Sequence, residues 1–161
     1  MATDVSDACK EAENTVLRAQ HIPRIVRYLQ SIYETESDID RYLVIAIEEH
    51  PESYVQALFV EENPPFLLIE AASGFYAQPE GLPRRFEVSS TGKARLGELG
   101  FSLDDSDGNF QLKLYYDPDS ALSDFQDAAS VMVHALIGAY GLSLDSTITV
   151  EAPFAPEDEE E

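Results

Sequence analysis

Three short apolar segments, Arg41–Glu48, Tyr54–Glu61 and Phe66–Ala72, follow one another with only a few residues between them. That spacing limits the fold more than any other feature of the chain. A parallel crossover needs a dozen or more residues, whereas His50-Pro51-Glu52 and Asn63-Pro64-Pro65 read as turns. The three segments are therefore predicted to run as an antiparallel meander. Successive strand residues point to opposite faces, so Leu43, Ile45 and Ile47 share one side, and Tyr42, Val44 and Ala46 the other. Both sides are apolar. Such a sheet is expected to pack one face on helices and to offer the other, in part, to a partner.

Around the meander the pattern is helical. Met1–Gln20 carries no strong apolar stripe, and Pro23 reads as a first-turn proline, which starts a helix without losing a needed N–H. From there Ile22, Ile25, Val26, Leu29, Ile32 and Tyr33 fall on one face of a helix ending near Glu34. Ser73–Arg85 holds Gly74, Pro79, Gly81 and Pro83 and reads as an irregular loop containing Phe75 and Tyr76. A second helix is expected over Val88–Leu99, closed by Gly100. Asn109–Tyr116 alternates Phe110, Leu112, Leu114 and Tyr116 against Gln111, Lys113 and Tyr115, the pattern of a half-exposed strand. Asp117-Pro118-Asp119-Ser120 is a helix start, and Leu122, Phe125, Ala129, Met132, Leu136 and Tyr140 then recur at helical steps until Gly141. That stripe suits a core or a dimer seam. Thr147–Val150 is a candidate last strand. The domain boundaries read as an N-terminal segment 1–21, weakly helical or frayed, one domain 22–150 and a disordered acidic tail 151–161.

Charge excludes several classes of function. With 31 Asp and Glu against 10 Lys and Arg, the chain of 161 residues carries a formal net charge of −21. Taking away the five terminal acids, Glu157–Glu161, leaves 26 acids against 10 bases, so the body is acidic too. Direct nucleic-acid binding needs clustered cations, and anionic membrane surfaces attract them for the same reason; neither partner is expected. No apolar run reaches the ~20 residues of a membrane span, and one cysteine, Cys9, allows no internal disulfide. A cytoplasmic protein is expected.

Catalytic motifs are missing. Gly92-Lys93 is not a phosphate loop, because Glu87 stands where the first Gly belongs and Ala94 follows Lys93. His21, His50 and His134 are scattered without a second ligand at a helical or hairpin step. Glu48-Glu49-His50 puts neighbours on opposite sides of a strand end. Asp104–Asn109 resembles a calcium loop, but setting Gly108 sixth leaves Leu103 first and Leu114 twelfth, so a turn is the better account. Cys9 lies among acids that disfavour a thiolate. No enzyme, metal or cofactor is expected.

A family resemblance rests on Tyr54-Val55-Gln56-Ala57, Ile69-Glu70-Ala71-Ala72, Leu96-Gly97-Glu98-Leu99-Gly100-Phe101, Gly108-Asn109-Phe110 and the helix start at Asp117-Pro118. In this order, over about Ile22–Val150, they resemble type III secretion chaperones and YbjN-like proteins. The resemblance implies an α+β fold, a twisted antiparallel sheet flanked by helices in the order α-β-β-β-α-β-α. It also implies an ATP-independent homodimer that holds a segment of a client polypeptide. It assigns no binding residue. From the residues themselves, Ile25, Leu29 and Ile32 on the first helix and Phe75 and Tyr76 in the loop are candidate client contacts, although plain core packing is the favoured reading of the helical trio, since amphipathic helices usually bury such a stripe. Leu122, Phe125, Met132 and Leu136 are candidates for a dimer seam. An alternative of a different class is an acidic decoy that fills the basic site of a nucleic-acid-binding protein.

Overall fold

The computed structural model describes residues 2–34, 41–50, 52–73, 88–104 and 108–152, with side chains from Cys9 onward. Its helices are α1 (Ala2–Glu34), α2 (Ser90–Leu99) and α3 (Ala121–Tyr140), and its strands β1 (Tyr42–Ile47), β2 (Tyr54–Val60), β3 (Phe66–Ala71), β4 (Phe110–Tyr115) and β5 (Ile148–Glu151). The five strands make one antiparallel sheet in the order β4-β3-β2-β1-β5. The meander is as its short turns require, and the α+β class is as expected. The fourth and fifth strands extend it at either edge.

One face of the sheet carries Leu43, Ile45, Ile47, Val55, Ala57, Phe59, Leu67, Ile69 and Phe110, all buried in a single core with α1 and α3. At its centre the Phe125 ring meets Tyr33, Phe59 and Tyr116 edge-on, with centroids 5.3, 5.8 and 5.5 Å away. Each such pair contributes about 0.5–1.5 kcal/mol beyond the area it buries. Arg41 pins the C-terminal end of α1 to β1. Its Nη2 donates to the Tyr33 carbonyl at 3.1 Å, its Nη1 pairs with Glu61, and its guanidinium lies 5.1 Å from the centroid of the Phe59 ring.

Both ends of α2 and the C-terminal end of α3 follow their sequence signals. The Ser89 hydroxyl accepts from the Gly92 N–H at the start of α2. Gly100, at φ 106°, closes that helix in the left-handed region that favours glycine, and Gly141, at φ 77°, does the same for α3. The Leu142 N–H then returns to the Leu136 carbonyl at 2.9 Å, so the chain leaves α3 with Leu142 buried.

The N-terminal reading needs correction. No break falls at the expected boundary between residues 21 and 22: α1 runs through Pro23 as one 33-residue helix. Pro23 is exposed on its outer side, and Leu17 is buried in the same core as Ile25 and Leu29. Packing on α3 thus holds the helix across a residue that would stop it in isolation. At the other end β5 includes Glu151, one residue into the expected tail, and Ala152 packs against the core. Residues 153–161 lie outside the described residues.

Candidate functional site

The second face of the sheet has a different composition and no described helix on it. The ladder register builds it in rows. Tyr42, Leu58, Leu68 and Lys113 stand side by side across four strands. Two residues further along come Glu151, Val44, Gln56, Glu70 and Gln111, and on the opposite flank Val60, Phe66 and Tyr115. Val44, Leu58, Val60 and Leu68 are half-buried and stand apart from the core. Tyr115 is 55% exposed and tilts against Phe66, with a centroid distance of 5.3 Å. Lys113 covers the same Phe66 ring at 5.0 Å. The result is an apolar patch bordered by a polar row.

Glu70 is the centre of that polar row. Its Oε1 accepts from Gln56 Nε2 at 2.9 Å and from Asn109 Nδ2 at 3.3 Å, and its Oε2 accepts from Gln111 Nε2 at 3.1 Å. Asn109 is itself fixed. It is buried, its Nδ2 also donates to the Tyr54 hydroxyl at 2.9 Å, and its Oδ1 accepts the Ser73 N–H at 3.1 Å. Three side-chain amides, from β2, from β4 and from the residue before β4, therefore orient the Glu70 carboxylate, and the Tyr54 hydroxyl holds one of the three in place.

The predicted contact residues fall elsewhere. Ile25, Leu29 and Ile32 are buried to 1% or less in the core, where they cover the inner sheet face and are not available to a client. Amphipathic packing accounts for them fully. The seam candidates divide: Phe125, Met132 and Leu136 are sealed in the same core, whereas Leu122 is 53% exposed on the first turn of α3. Phe75 and Tyr76 lie outside the described residues. Leu58 and Leu68, on the face that carries no described helix, were missed as site residues because the strand alternation is apolar on both faces. Only the helix placement distinguishes inside from outside.

Titratable groups do not gather on one point. A groove of about 750 Å³ between α1, α2 and α3 is lined by Lys10, Asn14, Arg95 and His134, among others. Burial lowers the His134 pKa, the nearby Arg18 lowers it further, and Glu11 acts in the opposite sense. His21 is lowered by burial and by Arg24, and its Nδ1 is buried without a hydrogen-bond partner among the described residues. His50 Nδ1 lies 2.9 Å from the Ser53 hydroxyl, and Glu49 accepts the Thr147 N–H at 3.1 Å. Among the described residues no group of three His, Cys, Asp or Glu side chains could hold a metal ion, and no described helix is long and apolar enough to cross a membrane. Comparison of the chain with protein-family models, with curated proteins and with solved structures finds no match.

Proposed function

We propose that this chain is a non-enzymatic, ATP-independent, chaperone-like module that holds a polypeptide segment of another protein against the open face of its sheet. The observation that carries this reading is the patch of Val44, Leu58, Val60, Leu68 and Tyr115, apolar residues placed together outside the core on a face with no described helix. Soluble proteins rarely leave such surface without a use. Charge selects the occupant. A second copy would bring another chain of net charge −21 against the first, so like charges oppose it, whereas a segment that mixes apolar and basic residues suits both the patch and the field around it.

An aggregation assay tests this with reduced, alkylated lysozyme as an unfolded basic probe and no nucleotide present. Stoichiometric suppression of aggregation is expected, and the doubly substituted Leu58→Asp/Leu68→Asp protein is expected to lose it while keeping its circular dichroism. The substitution adds negative charge. A decoy acting through charge alone would therefore hold the basic probe as well or better after it, and would release it at about 0.5 M salt, where screening reaches only a few ångströms. Suppression that survives the double substitution, or no suppression at all, overturns the reading.

A further inference from the structure

Glu70 is more elaborately held than a surface glutamate needs to be. It sits half-buried in the middle of the open face, opposite Gln56 on one side and Gln111 on the other. Its three hydrogen bonds all come from neutral side-chain amides. No cation among the described residues pairs with it; the nearest row places Lys113 over the Phe66 ring. A carboxylate offers about four acceptor sites, so three amides leave one open on Oε2. Among the described residues, then, a fixed, half-buried carboxylate without a cationic partner stands beside an apolar patch, and its geometry is set before anything binds. Preorganised acceptors of this kind bind a cation better than a mobile surface acid does, because the orientation cost is already met.

We propose that Glu70 is the specificity-determining residue of this face, selecting a Lys or Arg in the segment seated on it. The inference rests on the open-face reading above. Leu58 and Leu68 stand two residues along their strands from Gln56 and Glu70, a separation of about 7 Å at strand rise. The segment must then carry its basic side chain about that far from the apolar side chain it places over the two leucines. Charge complementarity argues for such an occupant, since the row that holds Glu70 also ends in Glu151. Gln56, Asn109 and Gln111 act as positioning residues for the carboxylate.

The experiment is selection from a displayed library of random short peptides, run on the wild type, on Glu70→Gln, on Leu58→Asp, and on Asp127→Asn as a control for net charge. Glu70→Gln keeps the side-chain shape while removing the charge, and Asp127→Asn removes one charge from an exposed position on α3. Wild type and Asp127→Asn are expected to enrich peptides with apolar residues and a Lys or Arg at a fixed spacing from them. Glu70→Gln is expected to enrich apolar peptides without that preference, and Leu58→Asp to enrich neither. For an enriched arginine peptide, replacing arginine by uncharged citrulline should weaken binding about tenfold to the wild type and scarcely at all to Glu70→Gln. Binding of that peptide should also shift the side-chain amide resonances of Gln56, Asn109 and Gln111. Apolar peptides enriched without a basic preference, or with one that persists in Glu70→Gln, would overturn the role of Glu70 and leave the open-face reading intact. No enrichment by the wild type over Leu58→Asp would overturn both.

Discussion

Tyr140 closes α3 with a contact that spans the fold. Its hydroxyl donates to the Ala72 carbonyl at 2.5 Å just past the end of β3, in a buried setting. Burial, and to a lesser degree Tyr54, push its pKa far above the ordinary tyrosine value. The sign is then fixed. A group whose pKa is raised by folding holds its full contribution below the unfolded value, near 10, and loses it as pH climbs above that. Stability measured by urea unfolding should therefore fall above about pH 10, and Tyr140→Phe should flatten that limb. At neutral pH the same substitution removes a donor and leaves the carbonyl of Ala72 buried, so a loss of about 1–3 kcal/mol is expected. The sequence placed Tyr140 on a helix stripe suited to a core or a dimer seam, but nothing local could reveal a hydroxyl partner 68 residues away.

The two glycines inside α2 make the same argument at the scale of elements. As sequence, Gly92 and Gly97 look alike: each lowers helix propensity by about 1 kcal/mol relative to Ala. In the fold they differ. A Cβ on Gly92 would lie 2.7 Å from Val88 Cγ1 and 3.1 Å from the Ala139 carbonyl oxygen, because α2 crosses α3 at this point with its backbone close. One on Gly97 would meet only Leu103 Cδ1 at an ordinary 3.5 Å. Urea titrations should find Gly97→Ala more stable by up to about 1 kcal/mol and Gly92→Ala less stable by about 1–3 kcal/mol. The α1–α3 seam supplies a second test. Burial and Arg18 hold the pKa of His134 below its usual value while Glu11 opposes them. A depressed histidine contributes stability above its unfolded pKa near 6.5 and loses it as pH falls. Going from about pH 7.5 to 5.5, His134→Gln should therefore lose less stability than the wild type. Element type and order were legible in the sequence because turns, caps and periodicity are local signals. The continuity of α1 through Pro23 was not, since it depends on packing against α3, and neither was the choice of which apolar sheet face lies inward. Gln56, Glu70 and Gln111 come together only through strand register, which a one-dimensional pattern does not contain.

For the whole molecule, charge is the term that acts everywhere at once. A net −21 on 161 residues is self-repulsion that the folded state concentrates and the unfolded chain relaxes. The chain's 10 cations offset little of it: the pairs Arg18–Glu11 and Arg95–Glu98 are surface contacts of small worth, and Arg41–Glu61 joins a largely buried guanidinium to an exposed carboxylate. Added salt shortens the screening length from about 30 Å at 0.01 M to about 10 Å at 0.1 M, so the urea midpoint should rise over that range. The proposed binding of a basic segment to the second sheet face should move in the opposite direction at long range, because the same screening weakens the attraction that steers it. Contact with Leu58 and Leu68 is insensitive to screening and should persist. Measured side by side on one preparation, a midpoint that rises with salt while association slows and apolar retention endures is the combined signature expected of an acidic body carrying an apolar face. A midpoint that falls with salt would mean that ion pairing, and not burial around Phe125, is what holds the chain folded.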